Sequence, residues 1–289
     1  MSTTFILGLR RSGTTVFWEW FRQDPRNLCF DEPFSEQLMR LPAGHPKGTF
    51  TEYQRLIKTD SAQFWHRYAP IHRADELRTT LTQEQQDFLT WLTSQSEHTV
   101  VDLSRCHLKA EQLYDIDPDA RVIHLHRSSR AFASSHLLPS RSGFRGRALR
   151  VALERTFWTR SDRYDFWGLQ SIIGTDPGSR FGHLLAEAGH DSDAIYQLPA
   201  VGRLLAFSRF MAERLAADGL QFFGSRYQPI SFEDFARAPR STVDDLCMRV
   251  GIDAPADTGA IRLNKPSPGH QPDSKRWLDI EARVRVAFS

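Results

Sequence analysis

Short apolar runs and amphipathic stripes alternate along much of the chain. An apolar run at residues 5–9, a β-branched run at 99–103 and an alternating segment at 121–126 predict strands, and a fourth strand is predicted at 227–231. Helical spacing follows them at residues 14–21, 108–114, 131–138 and 239–250. A strand followed by a helix, repeated, is typical of βαβ units. The pattern therefore predicts an α/β fold with a central parallel sheet, in which ligands bind at the carboxyl ends of the strands.

Longer segments lie between these elements. The sequence of residues 61–97 predicts helices. One of them starts at an N-cap box formed by Thr82 and Gln85. Residues 41–60 are rich in Pro, Gly and Thr and predict a surface loop with little regular structure. Residues 140–200 begin with a cluster of arginines, and we interpret them as an insertion that caps the ligand site. The alternative is an arginine-rich helix face that is exposed to solvent. No linker-like stretch divides the 289 residues, so we expect a single domain over 1–289.

Composition and charge narrow the class of protein. A net charge of +2 is too small to indicate a nucleic-acid partner. Cys29, Cys106 and Cys247 have no metal-ligand spacing and cannot all pair, which favours a reducing, cytoplasmic setting. No apolar run approaches the roughly 20 residues that cross a bilayer, and no signal-type stretch opens the chain. We therefore expect a cytoplasmic protein without a membrane span.

The loop after the first strand has the composition of a phosphate cradle. Its sequence GLRRSGTT, at residues 8–15, nearly matches the P-loop pattern G-x-x-x-x-G-K-[ST]. Thr14 stands where the pattern has its phosphate-gripping lysine, and the positive charge lies earlier, at Arg10 and Arg11. Loop amides and the start of the following helix would face an anion, and Gly13 would let the backbone come close to it.

Residues 11–15 resemble the 5′-phosphosulfate loop of sulfotransferases that use 3′-phosphoadenosine 5′-phosphosulfate (PAPS). The likeness continues to the sequence FDEPF at residues 30–34, which is similar to the Glu-Pro motif of carbohydrate sulfotransferases. The resemblance implies a three-layer, P-loop-like sulfotransferase fold. It also implies that the 5′-phosphate and sulfate are bound by loop residues, namely Arg10, Arg11, Ser12, Gly13, Thr14 and Thr15.

Two further motifs extend the resemblance. The sequence RSSRAFASS begins at Arg127, just past a predicted strand, and includes Ser135 eight residues later. In sulfotransferases an Arg and a Ser at this spacing hold the 3′-phosphate, and a guanidinium with a hydroxyl suits that ligand. Lys275 and Arg276 correspond to a late basic segment that closes on the same phosphate. The sequence PISFEDF at residues 229–235 resembles a structural motif of these enzymes.

Two residues compete for the role of catalytic base. Glu32 corresponds to the glutamate of the Glu-Pro motif, and His107 falls where cytosolic sulfotransferases carry a histidine. Either side chain suits proton transfer near neutral pH. The longer match around Glu32 favours it. For the adenine, Phe17 or Trp18 would replace the tryptophan that cytosolic sulfotransferases carry at the position of Val16, although Trp18 equally suits the core.

The resemblance implies an enzyme that transfers a sulfuryl group from PAPS to a hydroxyl of a carbohydrate, lipid or secondary metabolite. Adenosine 3′,5′-bisphosphate would be the product, and the scheme requires no metal. A kinase-like P-loop phosphotransferase is the first alternative, which the missing lysine disfavours. A nucleotide-binding module without activity is the second, against which Arg11, Arg127 and Ser135 argue.

Overall fold

One parallel sheet organises the computed structural model, which describes residues 2–43, 48–137, 169–251 and 275–289. Within that part of the chain the sheet has five strands, in the order β2-β3-β1-β4-β5. Every neighbouring pair is parallel. The strands are β1 Ser2–Leu7, β2 Leu28–Asp31, β3 His98–Asp102, β4 Arg121–His126 and β5 Tyr227–Ser231.

Helices fill the connections between the strands. The α-helices of the described residues are α1 Thr14–Phe21, α2 Thr51–Thr59, α3 Ser61–Arg67, α4 Gln83–Thr93, α5 Ala110–Ile116, α6 Ser129–Leu137, α7 Gln170–Ile173, α8 Arg180–Glu187, α9 Ser192–Tyr196, α10 Ala200–Phe223, α11 Phe232–Arg237, α12 Pro239–Val250 and α13 Lys275–Ala287. Short 3-10 segments lie at Glu36–Ala43, Gly48–Phe50, Arg73–Asp75 and Gly224–Arg226. None of these helices is long and apolar enough to cross a membrane.

Alternating side chains of the strands supply two separate apolar cores. On β1, Phe5 and Leu7 face one core, which includes side chains of α2, α3, α4, α5 and the second half of α10. Ile6 faces the other core, together with side chains of α1, α11 and α12. Because both faces of the sheet are covered, the central strand β1 is buried from Thr3 to Leu7. This arrangement confirms the predicted α/β fold with a central parallel sheet.

The chain forms two compact units. The first comprises Met1–His126 and Arg214–Asn264 and contains the whole sheet. The second comprises Arg127–Glu213 and Lys265–Ser289. Inside the second unit, Arg130 forms an ion pair with Glu281 and lies over the ring of the buried Trp277. The amide of Asp191 also donates to the Ala287 carbonyl at 2.9 Å, so α13 is fixed to the rest of this unit.

Most predicted elements are confirmed, and residues 41–60 are the clearest error. The sequence there predicts a loop, yet a 3-10 turn at Gly48–Phe50 leads directly into α2. The reason is apolar burial: Phe50 and Tyr53 are almost fully buried and contact Phe30 or each other. The strand β2 is absent from the sequence prediction. The arginine-rich residues 141–163, Pro139 and the tail at 264–274 lie outside the described residues.

Candidate active site

The loop between β1 and α1 has the backbone shape of an anion cradle. Gly13 is the N-cap of α1 with φ 95°, and Arg11 also has a positive φ, 69°. The amide of Ser12 donates to the Leu9 carbonyl at 2.9 Å and closes the turn. Among the described residues no side chain caps α1. The first amides of the helix are therefore available to an anion, which the helix dipole also favours.

Close packing explains the two glycines of this loop. A Cβ on Gly8 would lie 2.4 Å from the Thr14 methyl group and 2.7 Å from the Leu125 carbonyl oxygen. A Cβ on Gly13 would lie 2.3 Å from the ring of Phe232, at the start of α11. A side chain at either position would clash with these groups and displace the loop or its neighbour. Together with the open helix end, this geometry fits a bound phosphate or sulfate.

The side chains of the loop divide into exposed and buried groups. Arg11 and Thr15 are exposed, whereas Ser12 and Thr14 are buried. The Thr14 hydroxyl lies beside the Asp102 carboxyl, whose pKa it lowers. Thr14 thus points back to the sheet, and its amide is the group that remains for an anion. Arg10 is 19% exposed and forms an ion pair with Glu76.

Acidic side chains end the neighbouring strands β2 and β3. Asp31 and Asp102 are register partners on β2 and β3, and both are buried. Burial raises the pKa of Asp102 well above its ordinary value, and the nearby charges of Asp31 and Glu32 raise it further. This leaves Glu32, which directly follows β2, as the more accessible carboxylate.

Glu32 is held firmly at the carboxyl edge of the sheet. Its backbone has φ 50°, and its amide donates to the Asp102 carbonyl at 3.0 Å. The Ser104 hydroxyl donates to Oε1 of Glu32, and Nε of Arg105 lies 3.5 Å from Oε2. The side chain of Glu32 remains 23% exposed. Glu32 is therefore oriented by two neighbours and still accessible to a substrate.

A chain of alternating charges links Glu32 to the phosphate loop. Glu76 accepts a hydrogen bond from Nη2 of Arg10 through Oε1. The same oxygen lies 3.8 Å from Nη1 of Arg105, which also approaches Glu32. Burial raises the pKa of Glu76, and the two guanidiniums oppose that shift. Arg10 is thus joined to the candidate base through one carboxylate and one guanidinium.

His107 is in a very different environment from Glu32. It is 3% exposed, and its Nε2 has no hydrogen-bond partner among the described residues. Burial lowers its pKa to about 3, with further contributions from the charges of Lys109 and Arg10. The imidazole is neutral at physiological pH but closed to solvent. Of the two predicted bases, Glu32 is the one that a substrate can reach.

The second motif lies in the other compact unit. Arg127 directly follows β4 in the chain, and Ser135 lies on α6. The Ser135 hydroxyl donates to the Phe132 carbonyl at 2.7 Å and is buried. Lys275 and Arg276 are exposed at the start of α13.

Phe17 and Trp18 lie in the core, which contradicts stacking of either ring on adenine and confirms the alternative given for Trp18. Both side chains are 0% exposed and belong to the core between the sheet and α1. The apolar stripe of α1 is turned towards the sheet, and it includes both rings.

Comparison with known proteins gives the family. The model of the sulfotransferase family matches residues 4–167, more than half of the chain. This chain belongs to the sulfotransferase family. The match includes the phosphate loop, Glu32, His107, Arg127 and Ser135. None of the curated proteins matches the chain.

Solved sulfotransferase structures resemble the whole chain at low sequence identity. One is the sulfotransferase domain of the olefin synthase from Synechococcus PCC 7002, with 13% identity, a TM-score of 0.48, and coverage of 99% of this chain and 94% of that one. Another is a sulfotransferase from Alicyclobacillus acidocaldarius, with 15% identity, a TM-score of 0.41, and coverage of 100% and 96%.

Three residues around this candidate site have no role in the sequence prediction. Arg105 lies between Glu32 and Glu76. Lys109 is 1% exposed and donates from Nζ to the carbonyls of Glu76 at 3.0 Å and Arg78 at 2.8 Å. Arg105 and Lys109 lie close to His107 in the sequence, so proximity to a motif is a usable signal for them. Glu76 lies in a polar segment without any motif, and the structure alone reveals it.

Proposed function

We propose that the protein transfers a sulfuryl group from PAPS to a hydroxyl of a small-molecule or carbohydrate acceptor. The small-molecule acceptors include lipids and secondary metabolites. The observation that carries this proposal is the pairing, within one compact unit, of an anion-binding loop with an accessible carboxylate. The loop is the uncapped start of α1 at Gly13, and the carboxylate is Glu32. Family membership supplies the reaction type.

The loop residues bind and orient the donor in this scheme. The amides at the start of α1 and the exposed Arg11 guanidinium hold the 5′-phosphate and sulfate, and the Thr15 hydroxyl adds a donor. Gly13 supports this role because it adopts the positive φ of the turn and leaves room for the Phe232 ring behind the loop. PAPS supplies the sulfuryl group; the bond to its 5′-phosphate oxygen breaks and leaves adenosine 3′,5′-bisphosphate.

Glu32 accepts the proton of the acceptor hydroxyl while the hydroxyl oxygen of the acceptor forms its bond to sulfur. The Ser104 hydroxyl and the Arg105 guanidinium fix the direction of the carboxylate, so one oxygen can face an acceptor. The closed environment of His107 argues against it as the base. A hydroxyl acceptor fits a carboxylate that is partly open to solvent.

The 3′-phosphate is assigned to Arg127 and Ser135 on the basis of their motif, with Lys275 and Arg276 as additional cations. The Ser135 hydroxyl donates to a carbonyl of its own helix, so its oxygen would have to turn to reach a phosphate. Arg127 is therefore the stronger member of the pair in this proposal. A guanidinium offers paired donors that match a phosphate.

Thermal unfolding with nucleotides tests the proposal. We expect adenosine 3′,5′-bisphosphate at a hundred times its dissociation constant to add about 2.7 kcal/mol to the free energy of unfolding. ATP with Mg²⁺ should add much less, because the loop has no P-loop lysine. Radiolabelled PAPS with a panel of sugar and lipid hydroxyls then tests turnover. Stronger stabilisation by Mg-ATP would favour a kinase-like enzyme, and bisphosphate binding without turnover on any acceptor would favour the inactive module.

Variants of the second motif locate the 3′-phosphate. Arg127→Ala should weaken bisphosphate binding by roughly 1.5–3 kcal/mol, since it removes a charge-assisted hydrogen bond. Ser135→Ala should weaken it less. Adenosine 5′-phosphate, which lacks the 3′-phosphate, should bind the wild type and Arg127→Ala equally. An unchanged bisphosphate affinity in Arg127→Ala would remove this assignment.

A further inference from the structure

Glu76 occupies a position between two arginines that serve different parts of the proposed reaction. Its Oε1 accepts a hydrogen bond from Nη2 of Arg10 on the phosphate loop. The same oxygen lies 3.8 Å from Nη1 of Arg105, whose Nε lies 3.5 Å from Glu32. One carboxylate oxygen therefore keeps two like-charged guanidiniums together.

The backbone around Glu76 is fixed without help from its carboxylate. The buried Lys109 ammonium donates to the Glu76 and Arg78 carbonyls, at 3.0 and 2.8 Å. Arg105 donates from Nη1 to the Ile71 carbonyl at 2.6 Å. These bonds tie the segment before α4 to the loop after β3. Because they do not involve the carboxylate, a glutamine at position 76 leaves them intact.

The charges of this chain predict what the carboxylate does. The Arg105 guanidinium contacts two carboxylates, Glu76 through Nη1 and Glu32 through Nε. Without the charge of Glu76, Arg105 would pair with Glu32 alone and hold that carboxylate more strongly, so that it is less available to an acceptor hydroxyl. At the other end, Arg10 would lose its counter-ion and offer its full charge to an anion in the loop.

We propose that Glu76 is a positioning residue that sets how Arg10 and Arg105 divide their charge between the bound donor and the base Glu32. This inference rests on the proposed function and deepens it. In this role, the Glu76 carboxylate raises the rate of transfer and lowers the affinity for the donor. A carboxylate that only stabilised the fold would favour both the rate of transfer and the donor affinity.

Glu76→Gln separates these two roles. We expect the variant to bind adenosine 3′,5′-bisphosphate roughly threefold or more tightly than the wild type, because a negative charge near the anion is removed. Its kcat should fall roughly tenfold or more. Isothermal titration and single-turnover transfer from PAPS measure the two quantities. Glu84→Gln removes the same charge from an exposed position at the start of α4 and should change neither.

The outcomes distinguish this inference from the proposed function. A wild type that fails to bind the bisphosphate overturns both. A wild type that binds and turns over, with a Glu76→Gln variant that binds more weakly or transfers as fast as the wild type, overturns the role of Glu76 alone. If Glu76→Gln fails to fold, Glu76→Asp keeps the charge on a shorter side chain. Its carboxylate would lie farther from Arg10 and Arg105, so tighter bisphosphate binding with a reduced kcat supports the proposal, and a wild-type value of either quantity contradicts it.

Discussion

At Gly13 the backbone turns with φ 95°, and the Phe232 ring lies where a Cβ would be. Gly13→Ala would place its Cβ 2.3 Å from that ring in a conformation that L residues rarely adopt. We expect a loss of roughly 1–3 kcal/mol in the free energy of unfolding, together with weaker bisphosphate binding. Chemical denaturation and calorimetric titration measure the two effects.

Two further variants divide the effect of Gly13→Ala into its causes. Adding Phe232→Ala removes the clash but leaves the positive φ, so part of the nucleotide affinity should return. Gly48→Ala is the matched control, since nothing lies within 4 Å of a Cβ there. An equal loss in Gly48→Ala would mean that the close packing at Gly13 is irrelevant.

The second prediction at the scale of single residues concerns the carboxylate of Glu32. Glu32→Gln keeps the shape of the side chain and can still accept the Ser104 hydrogen bond, but it cannot take a proton at neutral pH. We expect kcat to fall roughly 10²–10⁴-fold, while the affinity for adenosine 3′,5′-bisphosphate stays within a few-fold of the wild type. Transfer from PAPS to an acceptor found by screening provides the measurement.

His107→Asn is the comparison for Glu32→Gln. The buried imidazole should matter to transfer much less than Glu32, because a substrate cannot reach it. Loss of turnover in His107→Asn with full activity in Glu32→Gln would reverse the assignment of the base. If both variants lose the rate, the two residues act as a unit and single losses cannot be divided between them.

Single residues of the site differ in how well the sequence predicts them. The loop glycines and Glu32 lie in contiguous motifs whose chemistry is local, so their positions follow from the pattern. Glu76 is brought to the site by tertiary contacts with Arg10, Arg105 and Lys109, and no local pattern announces it. Phe17 and Trp18 show the reverse case: their chemistry suits stacking, but the rotation of α1 buries them.

At the scale of elements, β4 and the loop after β3 bury neutral histidines. Burial lowers the pKa of His124 well below its ordinary value and that of His107 to about 3. The unfolded chain binds these protons below about pH 6.5, whereas the folded chain does not. Their contribution to stability is therefore complete above that pH. It is lost as the pH falls, by about 1.4 kcal/mol per pH unit for each histidine.

The comparison of His107→Asn with the wild type isolates this effect. Urea unfolding between pH 7 and 4 should give a slope of stability against pH that is shallower in the variant by about 1.4 kcal/mol per unit. Raised carboxyl pKa values, such as that of Glu76, oppose the slope equally in both proteins and cancel in the difference. Exposed His66→Asn is the control and should keep the wild-type slope. Parallel slopes in all three proteins would contradict a buried, neutral His107.

Elements with strong patterns are predicted well, and short ones are not. The bounds of β4 and β5, Arg121–His126 and Tyr227–Ser231, agree with the sequence prediction. The capping box of Thr82 and Gln85 at the start of α4 is also confirmed. The strand β2 has four residues, Leu28–Asp31, which is too short for a periodic signal. It forms because β3 offers an edge for pairing.

At the scale of the molecule, the sequence predicts the parallel sheet but not its strand order. The repeated strand–helix pattern implies parallel pairing, and all four pairings are parallel. The order β2-β3-β1-β4-β5 depends on contacts between segments far apart in the chain, which a local pattern does not encode. The expectation of a single domain with a capping insertion at 140–200 stays a prediction beside the two compact units.

The pairing of β4 with β5 has a consequence for how the protein is made. β4 ends at His126, and its outer neighbour begins only at Tyr227. A ribosome adds about 5–20 residues per second, so the intervening stretch of about 100 residues takes roughly 5–20 s to synthesise. During that interval the nascent chain carries β4 with an unpaired edge, which can template pairing with other chains. Newly synthesised chains would therefore depend most on chaperones during this interval, which ends when Ser231 emerges from the ribosome.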